Sequence, residues 1–199
     1  MAASWRTCVG RLSRVARQVI AAGERPRLLV RDPDKARAFA KTADVVRGDL
    51  DDVASVRGAM RGIEGVTHVV KLSVISAEAP AITFARWHNE AEQKLKASGL
   101  AWTMLRPGNF MTNALGWAPT IKAEGNIYQP TGTGTWAAID PADIGAVAVR
   151  ALTGAGHEGK EYTLTGAEAL DGAGYAAILG RPATTFESWA TRNAGAFGR

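Results

Sequence analysis

His88 and Glu92, four residues apart, carry the chemistry most easily read from this sequence. On a helix, positions i and i+4 are neighbours on one face. A carboxylate there orients the imidazole and raises its pKa, leaving a group able to donate a proton or hold a carbonyl oxygen. The plainer alternative is a polar helix pair on a pocket wall with no chemistry. Four more polar residues, Lys71, Ser73, Arg106 and Asn109, stand where two short apolar runs stop, His68–Ser73 and Ala101–Phe110. Runs this short and apolar suit parallel strands buried between helices. The carboxyl edge of such a sheet is where α/β folds bind ligands.

The elements that must position these groups alternate between strand and helix. A helix over Arg86–Ser98 repeats Trp87, Ala91 and Leu95 at i, i+4 and i+8, which predicts that these three face the sheet. Glu90 with Lys94 and Glu92 with Lys96 form i,i+4 pairs on wetter faces, and Gly99 ends the helix. Upstream, Arg27–Arg31 reads as a strand, Asp32-Pro33 as a turn into a short helix, and Asp44–Leu50 as a further strand and its exit. Asp49 or Asp51 is the expected cap of the next helix, about 52–61, whose apolar side is Val53, Val56, Ala59 and Met60. Downstream, Asn126–Gln129 and Thr135–Ile139 read as two strands joined by a Pro/Thr/Gly turn. Asp140 as N-cap, Pro141 at N1 and Asp143 at N3 open another helix, with Ile144, Val147, Ala148 and Ala151 on one face. Capping accounts for both acids. Glu161–Thr165 is a last strand, and the tail beyond Leu170 has little periodicity. The alternation predicts one α/β domain over residues 1–199.

The order of motifs is specific. Val-Val-Lys-Leu-Ser73, then Arg-Trp-His88-x-x-x-Glu92, then Ser-Gly-Leu-x-Trp-Thr-x-Leu-Arg-Pro-Gly-x-Phe-Met-x-Asn113, resembles the NmrA-like branch of the atypical short-chain dehydrogenase/reductases. The resemblance runs from about Gln18 to Leu170. It implies a reduced Rossmann-type parallel sheet with a small C-terminal substrate lobe. It also implies an NADP(H)-dependent reductase of a small quinone-like or carbonyl substrate, or a regulator that binds the dinucleotide and a protein partner without turnover. Arg31 stands where the second strand of such folds delivers its ribose-reading residue; an Arg suits the 2′-phosphate of NADP, so NADP(H) is favoured, while neighbouring Asp32 leaves NAD open. By the same resemblance Asp49 and Leu50 lie beside the adenine and Lys71 and Ser73 on the cofactor edge. Pro107, Asn109 and Phe110 lie at the nicotinamide end, with Glu92, Met111, Asn113 and Trp117 on the substrate side. His88 takes the place of the tyrosine in the usual Tyr-x-x-x-Lys, a spacing none of the three tyrosines has.

Two departures from the family pattern bear on function. No G-x-G-x-x-G precedes the helical stripe Leu12, Val15, Ala16 and Val19, so a tight backbone cradle for pyrophosphate is not expected, nor is the strand before that helix. Gly62–Gly65 then leads directly into the run ending at Ser73, where relatives insert another strand and helix. Losing central strands exposes edges and predicts weak stability, and a degraded paralogue that no longer binds cofactor is the third functional alternative.

Composition sets the outer limits. The 199 residues are 46% hydrophobic and 22% charged, ordinary for a globular domain. The lone Cys8 suits a reducing, cytoplasmic setting without an internal disulfide. No window suits a membrane span, and no Cys/His spacing suits a metal. The net charge of +5 gathers near the start, where seven arginines from Arg6 to Arg31 face only Glu24; this reads as a transit segment or a cationic helix. No recognition-helix or aromatic pattern accompanies it to suggest nucleic acid.

Overall fold

The structure, a computed structural model, describes residues 7–9, 13–49, 52–62, 65–79, 83–124, 137–167 and 186–196. The chain divides into two compact units, Met1–Thr67 and His68–Arg199, each treated by itself below.

In the first unit, β1 (Thr7–Val9), β2 (Arg27–Val30) and β3 (Asp44–Arg47) form a parallel sheet in that order. The strand that the sequence pattern argued against is therefore present. Three residues suffice for it, because Thr7, Cys8 and Val9 stand in register with Arg27, Leu28 and Leu29. Helix α1 (Ser13–Ala21) buries Val15, Ala16 and Val19 of the expected stripe, whose fourth member, Leu12, lies outside the described residues. Ala16 packs in one cluster with Leu28, Ala36, Phe39 and Ala43. Asp32 caps a 3-10 helix over Pro33–Phe39 by accepting from Asp34 N at 3.1 Å. Arg27 fastens the unit: its Nε donates to Asp44 Oδ2 at 2.6 Å and its Nη1 to the carbonyls of Ala59 and Arg61, at the end of α2 (Val53–Ala59). The cap of α2 is Asp52, through Ala54 N at 2.9 Å, and not Asp49 or Asp51. Asp49 instead exchanges backbone bonds with the Ser55 hydroxyl. A Cβ at Gly48 would meet Leu29 Cδ1 at 2.5 Å and Ser55 Oγ at 2.6 Å, so the strand exit needs glycine for this close approach.

In the second unit, β4 (His68–Leu72), β5 (Ala101–Pro107) and β6 (Lys160–Leu164) form a second parallel sheet in that order. Its register pairs Lys71 with Met104 and Glu161, and places Arg106 beside Thr163. Because side chains alternate along a strand, Lys71, Ser73, Trp102, Met104, Arg106 and Glu161 share one face. Helix α3 (Thr83–Lys96) covers that face, and Gly99, at φ 77°, turns the chain into β5. Helix α4 (Ala118–Glu124) buries none of its residues. Helix α5 (Pro141–Thr153) packs on β4 and β5 through Ile144, Val147 and Ala151, capped by Asp140 as expected. The buried Asp140 carboxylate also accepts from Arg192 at 2.5 Å, so capping is not its whole role.

On the second face, Thr103 donates to the His157 carbonyl at 2.6 Å and takes a hydrogen bond from His68 Nε2 at 2.9 Å; His157 Nδ1 lies 2.9 Å from the Tyr162 hydroxyl. Within the tail, residues 186–196 are described and form regular structure. Helix α6 (Phe186–Arg192) buries Trp189 completely against Met111 and Ala114, one aromatic outweighing a weak periodicity. Of the two strands expected after α4, residues 125–136 lie outside the described part. Ile139 forms a single parallel bridge with Phe110.

Candidate active site

Helix α3 does not present the expected stripe to the sheet. Trp87 is 65% exposed and Ala91 is also exposed, whereas Ala85 and Glu92 are buried and His88 is half-buried. The reason is electrostatic: a carboxylate can be buried when its charge is matched at close range. Arg106 rises from β5 directly below it, donating from Nε to Glu92 Oε1 at 3.1 Å and from Nη2 to Oε2 at 2.6 Å. Two more carboxylates complete the guanidinium, Glu161 at 2.8 Å and Glu78 at 3.1 Å. The expected Glu92–Lys96 pair is replaced accordingly. Lys96 turns to Glu161 at 2.5 Å and lies 5.0 Å from the Trp102 ring centroid.

The same strand face brings Lys71 to the helix, with its Nζ 3.2 Å from His88 Nδ1. Burial alone would raise the Glu92 pKa, but the Arg106 hydrogen bonds, with help from nearby Ser73 and Lys71, hold it below the ordinary value. The buried Ser73 hydroxyl faces this carboxylate yet makes no hydrogen bond of good geometry. His88 moves opposite to the sequence expectation. Burial and then Lys71 push its pKa down, and Glu92, whose charge Arg106 has already matched, restores only part. Lys71 is likewise lowered, by burial first and then by Arg106 against the opposing pull of Glu92. The Phe84 ring stands edge-on to the imidazole at 4.7 Å and is 51% exposed. Lys71, Ser73, His88, Glu92 and Arg106 thus converge at the carboxyl edge of one parallel sheet.

The other sequence-marked positions fall elsewhere. Pro107 ends β5 and is buried, Asn109 is exposed, and Phe110 is half-buried at the bridge to Ile139. Met111 is 1% exposed, packed in the Trp189 cluster, while Asn113 lies exposed in the 3-10 helix Met111–Trp117. In the first unit Arg31 follows β2 directly and is exposed, and Asp49 is half-buried. Leu50 lies outside the described residues. Arg106, Glu78 and Glu161 carry weight that the spacing in sequence did not reveal.

Residues 10–79 match the NAD(P)H-binding family model. Among curated proteins, the chain is 36% identical to the (4-alkanoyl-5-oxo-2,5-dihydrofuran-3-yl)methyl phosphate reductase of Streptomyces griseus, covering 78% of this chain and 66% of that protein. It is 37% identical to the NAD(P)H azoreductase of Xenophilus azovorans (77% and 65% covered) and 31% identical to quinone oxidoreductase 2 of Escherichia coli (69% and 58%). The chain carries an NAD(P)H-binding domain and is consistent with the NmrA-like, atypical short-chain dehydrogenase/reductases. It spans 66% or less of these relatives' own length. The family fold is also seen in an NADPH-dependent quinone oxidoreductase from Escherichia coli, at TM-score 0.80 and 21% identity over 96% of this chain and all of that one. The triphenylmethane reductase of Citrobacter sp., complexed with NADP(H), gives 0.72 and 19% over 98% and 84%. No described helix is long and apolar enough to cross a membrane, and no metal-binding group of His, Cys, Asp and Glu occurs among the described residues.

Proposed function

We propose that the chain is an NADP(H)-dependent reductase of a small quinone-like or carbonyl substrate, with His88 meeting the substrate oxygen. The observation that carries this reading is the Lys71–His88 contact, 3.2 Å long and set beside the buried Glu92–Arg106 pair at a sheet edge. Phe84 supports a flat apolar substrate, since its open ring borders the imidazole and aromatic rings favour offset contact.

The donor set in the first unit suits the dinucleotide. Arg31 is exposed at the end of β2 and makes no hydrogen bond or ion pair among the described residues, so its fork of donors is open to a phosphate. Arg31 would hold the 2′-phosphate, favouring NADP(H) over NAD(H), and Asp49 and Leu50 would border the adenine. In the second unit, Ser73, Pro107, Asn109 and Phe110 are the candidates for the nicotinamide end, with Glu92, Met111 and Asn113 toward the substrate. When bound, the dinucleotide would supply a hydride. The chain's own part is to orient the acceptor oxygen at His88 and to meet its developing charge with a proton. We place the protein in the cytoplasm, acting on a small molecule.

The test is NADPH consumption with a soluble quinone, for the wild type and His88→Gln. Positioned proton donors contribute roughly a hundredfold or more, so the variant should lose about that factor in kcat. No consumption by the wild type, or an unchanged variant, overturns the reading. The absence of Tyr-x-x-x-Lys favours a second reading, a dinucleotide-sensing regulator with a protein partner; NADPH binding without turnover would select it.

A further inference from the structure

We infer that Lys71 fixes His88 as the neutral tautomer with its proton on Nε2, and recharges it during turnover, making the pair a two-residue proton relay for oxygen acceptors. The inference rests on the reductase reading for its second half only. The first half follows from donor chemistry.

An ammonium has three donors and no acceptor. At 3.2 Å from Lys71 Nζ, His88 Nδ1 must therefore present its lone pair, which leaves the ring proton on Nε2. The charged groups acting on His88 are Lys71 from β4 and Glu92 from its own helix, and Arg106 from β5 holds Glu92 together with Glu161 from β6 and Glu78 from the loop before α3. Arg106 is matched by all three carboxylates, so none of them competes for the imidazole proton. Phe84 closes one edge of the ring. His88 is half-buried, not sealed, so its Nε2 can regain a proton from water.

The balance for a carbonyl acceptor is as follows. A reduced nicotinamide, when bound, would supply a hydride to the carbonyl carbon, the C=O electron pair passing to oxygen. That oxygen takes the proton from His88 Nε2 as Lys71 Nζ passes one to Nδ1. The products are an alcohol, a neutral His88 with its proton on Nδ1, and a neutral Lys71 amine; a solvent proton then enters at Nε2 as Nδ1 returns its proton to Lys71, which restores the starting pair. For a quinone, the hydride and the one relayed proton together give the neutral hydroquinone, and no further proton is needed. The relay delivers a proton to an oxygen, so the substrate class is a quinone, ketone or aldehyde.

The experiment is nitrogen NMR of the full chain labelled at histidine, in which only His68, His88 and His157 contribute and His88→Gln assigns the signal. The wild type should show an acceptor-type Nδ1 and a protonated Nε2. Lys71→Met should mix the tautomers and move the His88 titration midpoint upward, because a repelling cation is lost. Lys71→Arg keeps the donor and the charge but cannot release a proton. It should retain the wild-type tautomer while losing roughly a hundredfold in kcat, with little change in KM for NADPH. A protonated Nδ1 in the wild type, or spectra indifferent to Lys71→Met, overturns the first half. Full turnover in Lys71→Arg overturns the second. If no acceptor is reduced by the wild type, the reductase reading and the recharging step fall together, while the tautomer is still decided by the spectra.

Discussion

Arg106 is a residue whose loss should cost this protein heavily. Its guanidinium is matched by Glu92, Glu161 and Glu78, but the dependence is unequal. Glu92 is 1% exposed and relies on Arg106 for both of its strong hydrogen bonds, whereas the Glu161 and Glu78 side chains are 32% and 60% exposed and can be hydrated. Arg106→Leu therefore strands one buried carboxylate, a change that costs about 3–5 kcal/mol. Glu92→Leu leaves the guanidinium two partners and should cost less, roughly 1–3 kcal/mol for the lost charged hydrogen bonds. The double variant removes both buried charges and should be more stable than Arg106→Leu alone. Urea unfolding of the four proteins gives the coupling directly, provided the m-values agree. A cost below about 1 kcal/mol for Arg106→Leu, the range of an exposed pair, would refute the reasoning, as would a double variant losing the sum of the singles. The acid limb gives a second check with a fixed sign. The Glu92 pKa is depressed in the folded state, so its contribution is complete above the ordinary value of 4.5 and fades as pH falls through the folded value. The gap in stability between wild type and Glu92→Gln should narrow on that limb and stay constant near neutrality.

Two further substitutions probe the second unit. A Cβ at Gly166 would sit 2.0 Å from the Ala138 carbonyl oxygen, so Gly166→Ala should destabilise by about 1–3 kcal/mol in thermal unfolding. Trp189→Ala empties the fully buried site on Met111 and Ala114 and should cost about 3–5 kcal/mol, with α6 becoming the first segment cut by a protease.

Much of the fold was legible because hydrophobic runs and caps are local signals. The helix opened by Asp140-Pro141, the turn at Asp32-Pro33 and the strands ending at Val30, Leu72 and Pro107 all stand where their residues predict. The short strand Thr7–Val9 was not legible, since three residues carry no periodicity and register with β2 defines it. The facing of α3 failed for a related reason. Counting Trp87 as core and Glu92 as surface is sound until a strand places Arg106 beneath position 92, and nothing within the helix reports that. The same is true of Glu78 and Glu161, which reach Arg106 only through a loop and a neighbouring strand. The His88–Glu92 spacing pointed to this sheet edge, yet the imidazole's partner there is Lys71, brought across by β4 and not by the helix. His68 and His157 are tied into the hydrogen bonds around Thr103, which leaves His88 as the histidine at the carboxyl edge.

The most direct test of an NADP(H)-binding reductase is thermal unfolding of the wild type and Arg31→Ala with NADPH and with NADH. A ligand bound only by the folded state adds about 2.7 kcal/mol at a hundredfold excess over Kd. The account predicts a clear rise in Tm for the wild type with NADPH, a smaller one with NADH, and loss of that difference in Arg31→Ala. No shift with either dinucleotide would contradict it.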